Sequence, residues 1–332
     1  MTRAARTLGA AAPPLHAQRS PRSGMLVVDK PTDMTSHDVV RRVRGRYHVA
    51  GGHLGTLDPG ASGLLLVALG AATRCANVWQ GGEKTYEATV RFGVVTSTQD
   101  LEGDVLETRP VLLDEASIRA ASRSMVGEID QVPPMVSALK VRGERLYKMA
   151  RRGEVVERAA RRVRIAEWTW LGFDLPDARF RVRCSGGTYV RTLAHDLGAA
   201  LGSGAALAAL RRLRSEPFGL ERAVRLADLE EGDAETVWAE SSYSMEEILA
   251  ALPSVRLSER DVLTIGYGGS VRVPCAEARA VPLGAGPRSV ALVDGAGTAL
   301  GLGEALACPA GPGFVTVCPH LVFPWAVREG RL

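Results

Sequence analysis

The segment 51–63 restricts the fold more than any other part of the chain. It reads Gly-Gly-His-Leu-Gly-Thr-Leu-Asp-Pro-Gly-Ala-Ser-Gly and leads directly into the apolar run Leu64 to Leu69. Glycine reaches positive φ and allows close approach of the backbone, so such a stretch is typical of a turn or of a loop beside a ligand. The sequence therefore predicts a shaped loop followed by a buried apolar segment.

Asp58 is the chemically distinctive residue of this loop. A residue before proline is restricted to extended backbone conformations, and Pro59 is itself rigid. A carboxylate on such a fixed turn suits a nucleophile, because preset geometry lowers the entropic barrier to attack. An Asp-Pro-Gly sequence is also simply a favourable turn. Taken alone, the position of Asp58 leaves both interpretations open.

Hydrophobic periodicity in the first two thirds of the chain predicts a mixture of strands and helices. A short apolar strand is expected at 25–31, and alternating polar and apolar residues indicate half-buried strands at 86–93 and 179–184. Thr35 to Asp38 supply N-cap residues for a helix that begins near Ser36. A second helix is expected after Thr188, which can cap it.

The last third of the chain shows strand signals and few helix signals. Asp294-Gly295 lies between two apolar stretches, which predicts a β-hairpin, and Phe314-Val-Thr-Val predicts a further strand. We expect a small β-rich unit there.

The formal net charge of +4 conceals an uneven distribution. Residues 140–164 contain ten basic and three acidic residues, whereas residues 228–247 contain eight carboxylates and no basic residue. Arginines interleaved with Tyr147 can contact phosphates and stack on bases, although a charge run is more often a solvated helix face. The acidic segment predicts a solvated, mobile linker near a domain boundary.

Several function classes have no support. There is no P-loop, HExxH or GxSxG motif, and the five cysteines are dispersed without metal-ligand spacing. We therefore expect no metal and no cofactor. Mean hydropathy of +0.01 and the lack of a long apolar run argue against a membrane protein, and dispersed thiols suit the cytoplasm.

Four further residues are ambiguous when taken singly. Tyr86 at a strand start and Tyr189 beside a Gly-Gly turn are typical packing residues, and Arg191 on the first turn of a helix usually faces solvent. His53 could be an inert polar residue of the loop. None of them identifies a site without the others.

Taken in chain order, a set of short motifs from about 24 to 226 resembles the TruB family of bacterial tRNA pseudouridine synthases. The matching pieces are Val27-Val-Asp-Lys-Pro31, Met34-Thr-Ser36, Gly52-His-Leu-Gly-Thr-Leu-Asp-Pro59, Ser62-Gly63, Lys84-Thr-Tyr86, Ser97-Thr-Gln-Asp100, Gly103, Gln131-Val-Pro-Pro-Met-Val-Ser-Ala-Leu-Lys140, Leu146-Tyr147, Cys184-Ser-Gly-Gly-Thr-Tyr-Val-Arg191, Asp196-Leu-Gly198 and Leu210-Arg-Arg212. So many motifs in one order make the resemblance specific.

The resemblance implies that the chain isomerises uridine to pseudouridine at position 55, in the T loop of tRNA. Asp58 matches the nucleophile, and Arg191 matches the arginine that pairs with it. Asp100 matches a second acid of that network, and Tyr86 the tyrosine that stacks on the flipped uracil. Tyr189, Val190 and Leu210 fall where the family lines the base pocket.

The resemblance also implies how tRNA is held. His53 matches a histidine that enters the T loop, since a stacked base must be extruded and the gap braced. Residues 125–155 correspond to a thumb insertion that closes on the T arm, so Arg151 and Arg152 are expected to meet phosphates. Lys30 is expected to contact substrate as well. We expect a monomer with no obligate protein partner.

The expected architecture is an α/β (α+β) pseudouridine synthase fold with a mixed, largely antiparallel sheet. Residues 1–24 are predicted to be a disordered tail, 25–226 the catalytic domain and 227–249 an acidic linker. Residues 250–330 resemble a PUA-type RNA-binding domain, whose expected contact is the acceptor end of tRNA.

Two alternatives stay open. A guide-RNA-dependent pseudouridine synthase shares the motifs but relies on partner proteins, and the basic insertion argues against it. A non-catalytic RNA-binding or tRNA-folding module would have no use for Asp58, Tyr86 and Arg191 together.

Overall fold

The computed structural model describes residues 22–137, 139–141, 143–154, 156–279, 288–307 and 313–326. The predicted tail lies outside these ranges up to residue 21. Residues 22–24, which the prediction assigned to the tail, lead into the first strand, and Gly24 is already part of it.

The described elements of the larger, N-terminal part are fifteen strands and eight helices. The strands are β1 Gly24–Lys30, β2 Gly51–Leu54, β3 Ala61–Leu69, β4 Lys84–Phe92, β5 Val94–Thr96, β6 Val105–Thr108, β7 Gly127–Gln131, β8 Lys140–Val141, β9 Glu144–Arg145, β10 Arg161–Asp174, β11 Asp177–Cys184, β12 Ala205–Ser215, β13 Phe218–Gly219, β14 Val224–Arg225 and β15 Ser242–Ser244. The helices are α1 Ser36–Tyr47, α2 Ala76–Gln80, α3 Glu115–Arg123, α4 Leu146–Arg151, α5 Val190–Ala200, α6 Leu226–Glu231, α7 Ala234–Ser241 and α8 Met245–Ala250.

The strands of this part form one large sheet. Its path runs β14-β1-β3-β12-β4-β11-β10-β7, with β2, β13 and β15 paired at its sides. The β1/β14 and β3/β12 pairs are parallel and the other pairs are antiparallel. The predicted mixed, largely antiparallel sheet is therefore confirmed.

Local sequence signals explain the two helices that pack on this sheet. Thr35 caps α1 and forms a capping box with Asp38, as the sequence predicts. Helix α5 begins at Val190, and its N-cap is Tyr189 rather than Thr188, whose hydroxyl instead donates to the Ser185 carbonyl oxygen. The apolar faces of α1 and α5 pack into a core of strand residues from β1, β3, β4, β11 and β12.

The basic insertion leaves the sheet later than expected. Residues 127–131 form β7, which pairs with β10 as the edge of the main sheet. The excursion therefore runs from Val132 to Ala160 rather than from 125 to 155, and it contains the β8–β9 hairpin and α4. Residues 127–131 join the sheet because Ile129 and Gln131 alternate with exposed residues and direct their side chains inward. The charged residues Glu128 and Asp130 between them obscure this strand pattern in the sequence.

The predicted acidic linker at 227–249 is wrong. This segment folds as α6, α7, β15 and α8, and β15 pairs with β1. Leu229 of α6, Val237 of α7 and Ile248 of α8 are buried, while most of the carboxylates are exposed. The apolar residues therefore fix the segment to the sheet, and the charge run only describes its solvent side.

The C-terminal unit is rich in β-structure, as expected. Its elements are β16 Ser254–Arg256, α9 Glu259–Gly266, β17 Val271–Pro274, β18 Ala278–Arg279, β19 Arg288–Val293, β20 Ala299–Ala307 and β21 Phe314–Val322. The strand order is β17-β21-β20-β19-β16-β18. The predicted hairpin around Asp294 is the β19–β20 connection. Helix α8 lies between the two sheets, because Ile248 and Leu249 share one apolar cluster with Leu66 and Trp325.

Candidate active site

The loop between β2 and β3 carries Asp58 and is fixed by Lys30. The Lys30 side chain is fully buried, and burial lowers its pKa to about 8. Its Nζ donates to the carbonyl oxygens of Pro31 (2.7 Å), Pro59 (3.1 Å) and Ala61 (2.7 Å). These acceptors use all three protons of the ammonium group. The expectation that Lys30 contacts substrate is therefore wrong, and its role is to hold the Asp58 loop.

Arg191 is the centre of the site. Its side chain is 4% exposed, and its Nε lies 3.0 Å from Asp58 Oδ2 while Nη2 donates to Asp58 Oδ1 at 3.3 Å. On the other side, Nη1 lies 3.4 Å from Asp100 Oδ2. Two backbone carbonyls complete the set, Thr98 O at 3.1 Å from Nη1 and Val136 O at 2.9 Å from Nη2. The guanidinium is thus held in one orientation against both carboxylates.

A strained turn presents Asp100 to Arg191. Gln99 has a φ of 68°, in the left-handed region, and its side chain accepts a hydrogen bond from Thr192 Oγ1 at 2.7 Å. Backbone hydrogen bonds from Leu207 N to Gln99 O and from Leu101 N to Leu207 O tie the turn to β12. The turn therefore has little freedom to move Asp100 away from the arginine.

A cavity of about 360 Å³ opens between Asp58 and the base of the insertion. Six residues that the sequence singled out line it: Asp58, Tyr86, Tyr189, Val190, Arg191 and Leu210. Asp100 instead lines a smaller neighbouring cavity of about 60 Å³, which shares Asp58 and Arg191 with the first. The larger volume lies within the range of small-ligand pockets, and one carboxylate and two tyrosine rings line it.

Two basic residues of this cavity were missed as site residues. Arg212 is 1% exposed and donates from Nε to Leu64 O (2.7 Å) and from Nη2 to Gly55 O (3.0 Å). Lys84 is 6% exposed, and burial lowers its pKa to about 8. The signal that could have found both is their place in the motifs Lys84-Thr-Tyr86 and Leu210-Arg-Arg212, which carry the resemblance.

Burial controls the ionisation of the two central groups. Desolvation raises the pKa of the Asp58 carboxyl above its ordinary value; Arg191 opposes this shift and Asp100 adds to it. Desolvation likewise raises the pKa of the Tyr86 phenol, and the adjacent Arg212 guanidinium opposes it. The arrangement gives a carboxylate more basic than usual that is still paired with a cation, which suits nucleophilic attack.

Besides Lys30 and Asp100, two further predicted residues, His53 and Arg152, do not line the cavity. His53 lies in β2 opposite Val67, half-buried and outside the cavity lining. Arg151 is the last residue of α4, and its side chain lies outside the described residues. Arg152 is exposed, and Glu144 and Glu154 contact its guanidinium at 2.6 Å and 2.7 Å.

Within the described ranges, no group of three or more His, Cys, Asp or Glu side chains is arranged to hold a metal ion. In the same part of the chain, no helix has the length and apolar character needed to cross a membrane.

Known structures share this architecture. A crystal structure of a Cbf5-Nop10-Gar1 complex contains a chain that matches 95% of this one and is matched over 89% of its own length, with a TM-score of 0.72 and 28% identity. The structure of an H/ACA RNP bound to a substrate RNA containing 2'-deoxyuridine gives a TM-score of 0.69 at 26% identity, over 97% and 93% of the two chains. Together, the mixed sheet, the contact of Asp58 with the buried Arg191 and these structural neighbours define a protein of the pseudouridine synthase class.

Sequence comparison identifies the family within this class. The model described as TruB family pseudouridylate synthase (N terminal domain) matches residues 44–190, and that of the tRNA pseudouridylate synthase B C-terminal domain matches 191–254. The tRNA pseudouridine synthase B of Thermobifida fusca is 47% identical over 74% of this chain and 85% of its own. That of Burkholderia pseudomallei is 49% identical over 70% and 78%. The chain belongs to the TruB family.

Proposed function

We propose that this chain is a tRNA pseudouridine synthase that isomerises uridine 55 in the T loop. The observation that carries the proposal is the Asp58–Arg191 contact of 3.0 Å at the wall of a base-sized cavity. The relatives named tRNA pseudouridine synthase B support the choice of tRNA.

The proposed reaction breaks the bond between uracil N1 and the ribose C1′ and forms a bond between uracil C5 and C1′. The C5 proton leaves and N1 gains a proton, so no oxidant or reductant is consumed. Asp58 adds covalently while the glycosidic bond is broken, and either the sugar or the base could be its point of attack. Arg191 keeps the carboxylate oriented and ionised.

The other site residues have roles in recognition. Tyr86 stacks on the flipped uracil and is a candidate for removal of the C5 proton, since its phenol lies in the cavity beside Arg212. Tyr189, Val190 and Leu210 enclose the base. His53 braces the gap that the base leaves in the T loop. Extruding the nucleotide is required because a stacked base cannot be reached.

The contacts outside the cavity are also part of the proposal. The excursion after β7 binds the T arm through arginines that include Arg151 and Arg152, and the C-terminal sheet contacts the acceptor end of the tRNA. The enzyme works as a monomer in the cytoplasm without a protein partner.

A guide-RNA-dependent activity is the second candidate, favoured by the backbone similarity to the Cbf5 chain. Against it, identity to that chain is 28%, whereas the tRNA-specific relatives reach 47% and 49%. The two candidates differ in whether a guide RNA is required.

The test is release of tritium from [5-³H]uridine in an unmodified T-arm stem-loop, without guide RNA or added protein. We expect wild type to turn over and Asp58→Asn to be inactive while still binding the RNA. Asp177→Asn is the matched control, because that aspartate pairs with Arg91 at the far end of β4. Equal activity of Asp58→Asn and wild type would refute the nucleophile, and tight binding without turnover by wild type would favour a tRNA-folding module.

A further inference from the structure

Gln131 connects the edge of the main sheet to the N-terminus of α5. It is the last residue of β7 and is 2% exposed. Its amide makes two hydrogen bonds with the backbone of Tyr189: Tyr189 N donates to Gln131 Oε1 at 2.8 Å, and Gln131 Nε2 donates to Tyr189 O at 3.1 Å. Tyr189 is the N-cap of α5, which has no side-chain cap of its own. The glutamine therefore satisfies a helix terminus from another element.

The chain that follows Gln131 forms a wall of the cavity. Ser137 and Leu139 line it together with Asp58. Between them and the glutamine stand Pro133 and Pro134, both buried, whose rings fix φ and leave the segment few ways to bend. We therefore expect a displacement at Gln131 to reach the cavity wall.

The same segment also holds Arg191. Val136 O accepts from Arg191 Nη2 at 2.9 Å, on the side of the guanidinium away from Thr98 O. The two carbonyls fix the plane in which the guanidinium faces Asp58. The contact from Val136 O therefore depends on the position of the segment that follows Gln131.

We propose that Gln131 is a positioning residue: its paired hydrogen bonds to Tyr189 set the cavity wall against α5, so that Val136 O keeps Arg191 aligned with Asp58. The proposal rests on the proposed function, because the Asp58–Arg191 pair is the reacting centre there. Gln131 itself does not line the cavity.

The expected signature is a change in the pH dependence of the reaction. The ionisable groups that act on Asp58 come from several elements; they are Arg191, Asp100, Lys30, Glu102, Tyr86 and Tyr189. Among them, Arg191 makes the main favourable contact with the ionised carboxylate. Loosening Arg191 weakens that contact, so Asp58 should take up its proton at higher pH.

The experiment compares wild type with Gln131→Met, which keeps the length of the side chain and removes both hydrogen bonds. Single-turnover tritium release from the T-arm stem-loop is measured at saturating enzyme from pH 5 to 8. We expect the rate at the plateau of the pH–rate profile to fall about tenfold. The acid limb of that profile, where the rate declines as Asp58 is protonated, should move up by about half a pH unit or more. Gln131→Asn, whose shorter amide can make one of the two bonds at most, should give a smaller change of the same sign.

Glu128→Gln is the matched control, since it lies on the same strand with its side chain exposed. Thermal melting of each variant verifies folding, and rates are taken only below the onset of unfolding. An acid limb of Gln131→Met that stays in place or moves down would overturn the proposal, even if the plateau rate falls. Absence of tritium release by wild type would instead refute the proposed function.

Discussion

Arg191→Met tests the electrostatic design of the site most directly. The change removes a buried cation that lies 3.0 Å from Asp58 and 3.4 Å from Asp100, and it leaves the two carboxylates facing each other. An opposite charge at this distance lowers a carboxyl pKa by about 1–3 units. Because the Asp58 side chain is 42% exposed, solvent screening reduces the effect, and we expect about one unit.

The expected kinetic result follows from the direction of that shift. Without Arg191 the pKa of Asp58 rises further, so the acid limb of the single-turnover rate moves up by about one pH unit. The plateau rate falls roughly a hundredfold, because the nucleophile loses its alignment. Arg191→Lys, which keeps the charge but not the planar fork, should show a similar loss of rate with a smaller movement of the limb.

Stability gives a second measurement on the same variant. Removing one partner of a buried pair costs about 3–5 kcal/mol, and the partial exposure of Asp58 favours the lower end. About 3 kcal/mol corresponds to a Tm lower by roughly 6–12 °C. An acid whose pKa is raised by folding opposes folding while ionised, so protonation of Asp58 as the pH falls below neutrality should narrow the Tm difference from wild type. An acid limb that does not move in Arg191→Met would refute this reasoning.

Two further changes test the supports of the site. Lys30→Met leaves the carbonyls of Pro59 and Ala61, on either side of the Asp58 turn, and that of Pro31 without their donor. We expect a plateau rate at least tenfold lower and a Tm lower by several degrees, and a variant with wild-type rate would contradict the assigned role. The double change Arg151→Glu, Arg152→Glu should weaken T-arm binding and flatten the slope of log Kd against log salt by about two, as measured by filter binding. An unchanged slope would count against phosphate contacts there; a change of only about one would show that the Arg152 pairs with Glu144 and Glu154 persist in the complex.

Much of the site was visible in the sequence because its geometry is local. The proline after Asp58 and the glycines around it determine a rigid turn without help from distant residues. The alternation in β4 and β11 and the capping box of α1 likewise depend on neighbours in the chain, and the structure confirms them. The order of these motifs was enough to indicate the family.

Two of the wrong predictions share one cause, which is that charge was interpreted without burial. Lys30 looked like a ligand for RNA, and 227–249 looked like a solvated linker. In the structure, the lysine is enclosed by three carbonyls, and the acidic segment buries Leu229, Val237 and Ile248 beneath its carboxylates. Whether a charged side chain is a surface group or an internal support depends on what packs over it.

The sequence by itself determined the Asp58 turn, the alternation of the sheet and the family, because each depends on short-range backbone restriction or on a pattern along the chain. The resemblance implied that Arg191 acts with Asp58 and Asp100, but only the tertiary structure gave the geometry of those contacts and showed that Gln131 joins β7 to α5. Those contacts link residues 58 to 133 positions apart, and such distances are fixed only when the core closes around them.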